Sequence, residues 1–204
     1  MSSNIYNIFG KEESISLFKT QELKSDNIYV YYYQNSISSF VFFIPAIFLN
    51  LYCKSFIDIY ISIQLHLMSI ISFFWWACQR KYIHYFDIIL YSNLISISGL
   101  YLLNTYNIIS EFSFFYYNFN FVLLILILIH FNLFYYIKII NILSSLFSVY
   151  NLIFFNYYKT FTFLIFGLIS KLMDTYIKIN ICKKISGTAI FHIMTGIGYF
   201  FLLY

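Results

Sequence analysis

Beyond its first 35 residues, this chain consists almost entirely of apolar stretches long enough to cross a membrane. A transmembrane helix needs about 20 mostly apolar residues. Seven stretches approximate this length: 36–53, 57–79, 83–103, 118–137, 139–157, 160–178 and 186–204. Charged residues make up only 10% of the chain, too few to give a soluble domain its polar surface. The sequence therefore predicts a protein that works inside a lipid bilayer.

These stretches favour helices, because they are too long for the strands of a membrane β-barrel and lack the required alternation of polar and apolar residues. The predicted fold is all-α: a polytopic membrane bundle of about seven transmembrane helices over 36–204. Residues 1–35 form a separate polar N-terminal tail. A bundle with six spans is an alternative, if the chain bends within 118–157 instead of turning.

The basic residues predict how the bundle is oriented. With seven spans, Arg80, Lys81 and most of the lysines lie on the same face as the tail, and only Lys54 and Lys159 lie on the other. Basic residues concentrate on the cytoplasmic or matrix side of a membrane. We therefore expect the tail on that side. No basic patch is interleaved with aromatic residues, so we expect no nucleic-acid partner.

The choice of amino acids favours one membrane in particular. Ile, Phe, Tyr, Asn, Ser and Leu dominate, while arginine and proline occur once each. The favoured residues have AT-rich codons, and this bias together with extreme hydrophobicity is typical of organelle-encoded membrane subunits. The N-terminus has neither a secretory signal pattern nor an Arg-rich transit pattern. We therefore expect the mitochondrial inner membrane, with the N-terminus toward the matrix.

Ionisable residues inside predicted spans are costly and are candidates for function. The best-placed ones are Asp87, His66, His130 and His192, whereas His84 lies nearer a helix end. Lys171 and Asp174 are three residues apart on one predicted helix, so they can pair with each other.

Three fragments, in order along the chain, resemble the alkaline ceramidase family. The last span reads FHIMTGIGY from Phe191 to Tyr199, which is similar to the family pattern H-x-x-x-H-x-x-T-G-x-G-x-Y. The segment 35–38 followed by Pro45 resembles the start of the family's first helix, and Ser72 and Asp87 keep the spacing of a family serine and aspartate. The resemblance implies a ceramidase-like fold with seven helices.

Members of this family are zinc amidases that cleave ceramide, and three histidines hold their zinc. At the corresponding positions this chain has Trp76, Thr188 and His192, so only one of the three ligands is present. The resemblance therefore implies the fold and argues against the reaction. We expect neither a catalytic residue nor a bound cofactor.

Two alternative hypotheses place a ligand, either zinc or a lipid, inside the bundle. His84 and Asp87 share a helix face and, with His192, could form a rearranged zinc site. Ser72 and Asp87 would then be the catalytic residues of a divergent lipid amidase. The other alternative is a protein that binds lipid without cleaving it. Thr195, Gly196 and Gly198 are expected to allow close helix packing.

These observations together favour a non-catalytic subunit of a mitochondrial inner-membrane complex, which uses a degenerate ceramidase-like bundle for scaffolding and lipid contact. A respiratory-chain complex is favoured, and ATP synthase comes next. The expected partners are other membrane subunits and phospholipids. Lys183 and Lys184 are the predicted contacts for lipid headgroups such as that of cardiolipin.

Overall fold

The computed structural model describes residues 33–78, 81–173 and 186–204, and it is all-helical over these ranges. The first helix, α1, has three consecutive parts: Tyr33–Ser38, the 3-10 turn Ser39–Phe42, and Phe43–Tyr52. Six helices follow within the described residues: α2 Phe56–Cys78, α3 Lys81–Thr105, α4 Glu111–His130, α5 Phe134–Phe154, α6 Tyr158–Leu172 and α7 Gly187–Leu203. The prediction of an all-α chain is confirmed.

Five of these helices, α1 to α5, are long and apolar enough to cross a membrane. The helix α7 is apolar but has 17 residues, and α6 has 15 residues in the described part of the chain. The five long apolar helices, of 19 to 24 residues, support a membrane protein, because a soluble bundle of this size does not need helices so long and so apolar.

The helices form one bundle around a shared apolar core. Successive helices from α1 to α4 pack against each other, α5 packs mainly on α3, and α6 packs mainly on α7. The last helix, α7, also returns to α1. Ile57, Ile61 and Leu65 of α2 and Ile97 of α3 are completely buried in the main core cluster.

Three helices end in the same type of turn. After α3, α4 and α5, an asparagine adopts a left-handed backbone conformation: Asn107 (φ 57°), Asn132 (φ 55°) and Asn156 (φ 63°). In the turn after α4, Asn132 N donates to Ile129 O (2.9 Å) and Leu133 N to Leu128 O (2.8 Å), and the other two turns repeat this pattern. These are Schellman motifs, which satisfy the last carbonyls of a helix.

The turn at Asn132 determines whether residues 118–157 form one bent helix or two separate helices. It separates α4 from α5, so the alternative of a single bent span over 118–157 is wrong. The predicted start of the fourth span, at 118, is also wrong by seven residues. The helix α4 begins at Glu111, because the side chain of Ser110 accepts a hydrogen bond from Ser113 N and caps the helix (3.1 Å).

Glycines allow α7 to approach two other helices closely. A Cβ atom at Gly196 would lie 2.7 Å from Val41 Cγ1 on α1, and one at Gly198 would lie 3.0 Å from Leu164 Cδ2 on α6. The first separation is too short for two carbon atoms, and the second would require the side chain of Leu164 to shift by a few tenths of an ångström. The missing side chains at these two positions therefore allow the backbone of α7 to lie close to α1 and α6.

Candidate functional site

Five polar residues meet where α1, α2 and α7 come together: Asn35, Ser38, Ser39, Ser72 and His192. We call this group the polar cluster. Four of its members are buried, and Ser38 is half-buried. The Nδ1 atom of His192 lies 2.9 Å from Ser38 Oγ, 3.2 Å from the carbonyl oxygen of Asn35 and 3.4 Å from Ser39 Oγ. The imidazole of α7 is therefore bound to the first two turns of α1.

The same carbonyl oxygen, that of Asn35, also accepts from the two serines of α1. Ser38 Oγ donates to it at 3.0 Å and Ser39 Oγ at 2.8 Å. Each hydroxyl has a single hydrogen, so a serine that donates to this carbonyl does not donate to His192. These hydrogen bonds are mutually consistent when Nδ1 of His192 carries the hydrogen and donates to Ser38 Oγ. In this arrangement the imidazole does not activate either serine as a nucleophile.

A second set of polar groups adjoins the cluster through Ser72. Its Oγ atom lies 3.2 Å from Ser39 Oγ, and its side chain neighbours the carboxyl group of Asp87. The Oδ1 atom of Asp87 is buried and has no hydrogen-bond partner within the described residues. Asp87 interacts electrostatically with Lys171 of α6. The ammonium group of Lys171 also lies 4.5 Å from the ring centroid of Phe191, within the range of a cation–π contact.

The beginning of α7 is fixed by side chains of α1. The backbone N–H of Ser186 donates to Gln34 Oε1 (2.9 Å), and the hydroxyl of Ser186 bonds to Asn35 Oδ1. Ser186 Oγ also accepts from Ala189 N, which makes Ser186 the N-cap of α7 (3.1 Å). Hydrogen bonds of the polar cluster thus extend to the N-cap of α7 and connect the first described helix, α1, to the last, α7.

Of the predicted zinc ligands in the rearranged site, His84 makes no hydrogen bond with the polar cluster. Its ring stacks on Trp75 with a centroid distance of 4.0 Å, and neither ring nitrogen has a hydrogen-bond partner within the described residues. In the part of the chain that the structure describes, no three His, Cys, Asp or Glu side chains form a group that could hold a metal ion. The set of His84, Asp87 and His192 is therefore not assembled as a metal site here.

The tryptophan at the position of a family zinc ligand lies beside His192. The ring centroids of Trp76 and His192 are 6.2 Å apart, and Phe42 approaches the same imidazole at 6.1 Å. Trp76 is 8% exposed. Aromatic side chains therefore occupy space next to the imidazole.

A mostly apolar cavity of about 100 Å³ lies deeper in the bundle, between α3, α5, α6 and α7. Its wall includes Leu94, Val149, Leu168 and Phe191. Thr195 also lines it, and the hydroxyl of this residue has no hydrogen-bond partner within the described residues. The mostly apolar lining suits part of an acyl chain.

The remaining predicted residues are distributed as follows. His66 bonds through Nδ1 to Ser62 O of its own helix (2.8 Å), and His130 is exposed at the end of α4. Thr195, Gly196 and Gly198 are buried in α7. Asp174, Lys183, Lys184 and the tail 1–32 lie outside the described residues. Sequence reasoning treated 35–38 only as part of a resemblance, and it missed that Asn35 and Ser38 bind His192.

Comparison of the sequence with models of known protein families finds no match, and comparison with curated protein sequences finds none either. The function is therefore argued from the geometry and the composition of the chain itself.

Proposed function

We propose that this protein is a non-catalytic integral membrane subunit of a mitochondrial inner-membrane complex. The respiratory chain is the favoured assembly, with ATP synthase next. The bundle is ceramidase-like, with seven transmembrane helices, and its N-terminus is in the matrix. Of the predicted tail 1–35, residues 33–35 belong to α1, and the residues before them meet matrix-side partners. Lys183 and Lys184 meet the headgroups of phospholipids such as cardiolipin.

One observation carries the non-catalytic part of this proposal: the polar cluster holds helices together. The Nδ1 atom of His192 is engaged with α1, and the hydroxyls of Ser38 and Ser39 donate to a backbone carbonyl. Buried hydrogen bonds between helices, such as these, stabilise one arrangement of the helices. A hydrolase would need a free base beside its nucleophile or a metal-bound water.

The role in lipid contact rests on two features of the bundle. The cavity between α3, α5, α6 and α7 is lined mainly by apolar side chains. In α4 and α5, only 22% of the most apolar 18-residue window is buried in each helix. These exposed helices offer surface to lipids and to the helices of other subunits. A scaffold subunit needs such surface on its outer face.

The decisive experiment is a native gel of gently solubilised mitochondrial membranes, with each band identified by mass spectrometry. We expect this chain to migrate with a respiratory complex or, failing that, with ATP synthase. Migration only as a small species, or recovery from a membrane other than the inner mitochondrial one, would overturn the proposal. A cysteine accessibility assay on intact mitoplasts, with a single cysteine placed in the tail, tests the matrix orientation.

A divergent lipid amidase is the second candidate, because Ser72 and Asp87 lie together beside the polar cluster. This reading predicts bound zinc in equimolar amount and amide cleavage that is lost in His192→Ala. The matched control is His66→Ala, which removes a histidine whose Nδ1 bonds to its own helix. Metal-free protein without turnover of ceramide or related lipid amides would exclude this candidate.

A further inference from the structure

The helix α4 carries an asparagine at a depth where lipid offers it no partner. Asn120 is the tenth of the 20 residues of α4, and its side chain is exposed on the outside of the bundle. With a rise of 1.5 Å per residue, it lies about 15 Å from either end of the helix. This is the middle of a hydrocarbon core about 30 Å thick.

The hydrogen bonds of Asn120 are only partly satisfied by its own helix. Its Nδ2 donates to Tyr116 O at 2.7 Å. Its Oδ1 atom accepts no hydrogen bond from the described residues. An amide has two donor hydrogens and an oxygen that accepts, so an acceptor and a donor face outward. Unsatisfied polar groups in hydrocarbon are costly, and such side chains bind transmembrane helices to one another.

The residues around Asn120 continue this outward surface along α4. Residues at intervals of three and four form what we call the α4 stripe: Ser113, Tyr116, Asn120, Leu123, Ile127 and His130. The opposite side of the helix packs into the bundle through Phe114, Asn118, Ile125 and Leu128. The stripe has the seven-residue period of a helix–helix seam, with Asn120 in its centre. In coiled coils, an asparagine at one position of the seam specifies the register and the oligomeric state.

We propose that the α4 stripe is the interface of a homodimer in which Asn120 bonds to the partner's Asn120. A second copy inserts into the membrane in the same orientation, so the two α4 helices run parallel and place both amides at the same depth. An amide is complementary to itself across a two-fold axis, because each side chain both donates and accepts. This inference does not depend on the mitochondrial location or on the absence of catalysis.

Cysteine cross-linking tests the geometry of this interface on the full chain in membranes. Ile127 is on the stripe and Leu126 is next to it but off the stripe, and both are 45% exposed. In a background without Cys53, Cys78 and Cys182, we expect Ile127→Cys to form a disulfide-linked dimer under mild oxidation. Leu126→Cys is the matched control and should form at least severalfold less. Equal cross-linking at both positions, none at either, or cross-linking of Ile127→Cys only to a different chain would overturn the homodimer.

A second measurement tests the role of the amide itself. Energy transfer between donor- and acceptor-labelled copies in liposomes reports the dimer fraction as the lipid dilution is changed. Interhelical hydrogen bonds in model transmembrane peptides contribute about 1–2 kcal/mol, so Asn120→Leu should weaken the dimer by about fivefold or more. Asn120→Gln keeps the amide and should retain most of the affinity. Unchanged energy transfer in Asn120→Leu would overturn the proposed pairing.

Discussion

The bundle has two sides that are built differently. On one side α1, α2 and α7 are joined by the polar cluster and by the contact of Gly196 with Val41, and we call this the closed side. On the other, α4 and α5 turn most of their surface outward, and we call this the open side. The most apolar window is 44% buried in α2 but 22% in α4 and in α5.

This difference shows that hydrophobicity alone does not determine how a membrane helix packs. Lipid is as apolar as leucine, so apolar side chains gain little by leaving lipid for a helix interface. The closed side is defined by small residues and hydrogen bonds, which lipid cannot supply. On the open side, such hydrogen bonds are confined to the inward faces of α4 and α5, where Asn118 donates to the hydroxyl of Tyr60 and Ser148 donates to Ile95 O. Asn120 is a polar residue in the middle of the outward face of α4. Apolar surface is therefore sufficient for insertion into the membrane, while small and polar residues determine which helices pack against each other.

The largest effect is expected at the cavity between the two sides. Val149→Trp should fill it and remove an acyl chain bound there, whereas Tyr150→Trp, on the neighbouring exposed position, should leave the bound lipid unchanged. Native mass spectrometry of the purified protein measures lipid retained per chain. We expect a severalfold loss in the first variant. Equal retention in both variants would show that lipid is held elsewhere.

The closed side should be sensitive to a single methyl group. Gly196→Ala places a Cβ atom against the branched side chain of Val41, and overpacking of this kind costs about 1–3 kcal/mol. Unfolding in mixed micelles, followed by circular dichroism, measures the loss. The double variant Gly196→Ala with Val41→Ala should recover part of it, because the second change removes the clashing methyl groups. Strict additivity of the two changes would contradict the observed contact.

The change of asparagine to leucine, made once on each side, compares how much each side contributes to the stability of the fold. Asn35→Leu leaves the hydroxyl of Ser186 without its partner on α1, so it should destabilise the fold by about 1–2 kcal/mol. Asn120→Leu should change the stability of the monomer by no more than about 0.5 kcal/mol, because its side chain is exposed. The same unfolding assay serves for both. A larger loss at Asn120 than at Asn35 would reverse the assignment of the two sides.

The smallest effects are expected at the turn between α4 and α5. Asn132→Gly keeps access to the left-handed conformation and should change stability by less than about 0.5 kcal/mol. Asn132→Val should cost about 1 kcal/mol or more, because a branched side chain is strained at φ 55°. Thermal unfolding of the two variants in the same detergent makes the comparison. Equal melting temperatures would indicate that this turn relaxes without cost.

Much of the fold could be predicted because apolar runs of about 20 residues have few alternatives to helices in a membrane. The start of α4 was missed because Tyr116, Tyr117 and Asn118 obscured the apolar signal, while the cap at Ser110 was not recognised. Composition also could not reveal that Asn118 packs inward and Asn120 faces outward. That distinction depends on which side of α4 meets α3.

The site was predicted only in part. Sequence reasoning selected Ser72, Asp87 and His192, and the structure brings Ser72 close to Asp87 and joins it through Ser39 to His192. It suggested that Lys171 can pair with Asp174, which lies outside the described residues, and it did not suggest the electrostatic interaction of Lys171 with Asp87. When ion pairs are predicted from their spacing in the sequence, residues on the same helix are favoured. Contacts between helices depend on packing, which a single sequence does not encode in its spacing.

The turns after α3, α4 and α5 suggest a way in which the base composition of a gene can affect the residues that a protein uses at special backbone conformations. Glycine is the usual residue at such left-handed positions, but its codons begin with two guanines, whereas those of asparagine begin with two adenines. In the described residues, all five glycines lie within helices, and the left-handed positions are filled by asparagine. This distribution is the one expected if the gene is AT-rich, as the choice of amino acids predicts. Glycine is found at positions such as Gly196, where a side chain does not fit. Asparagine serves where only a backbone angle is needed.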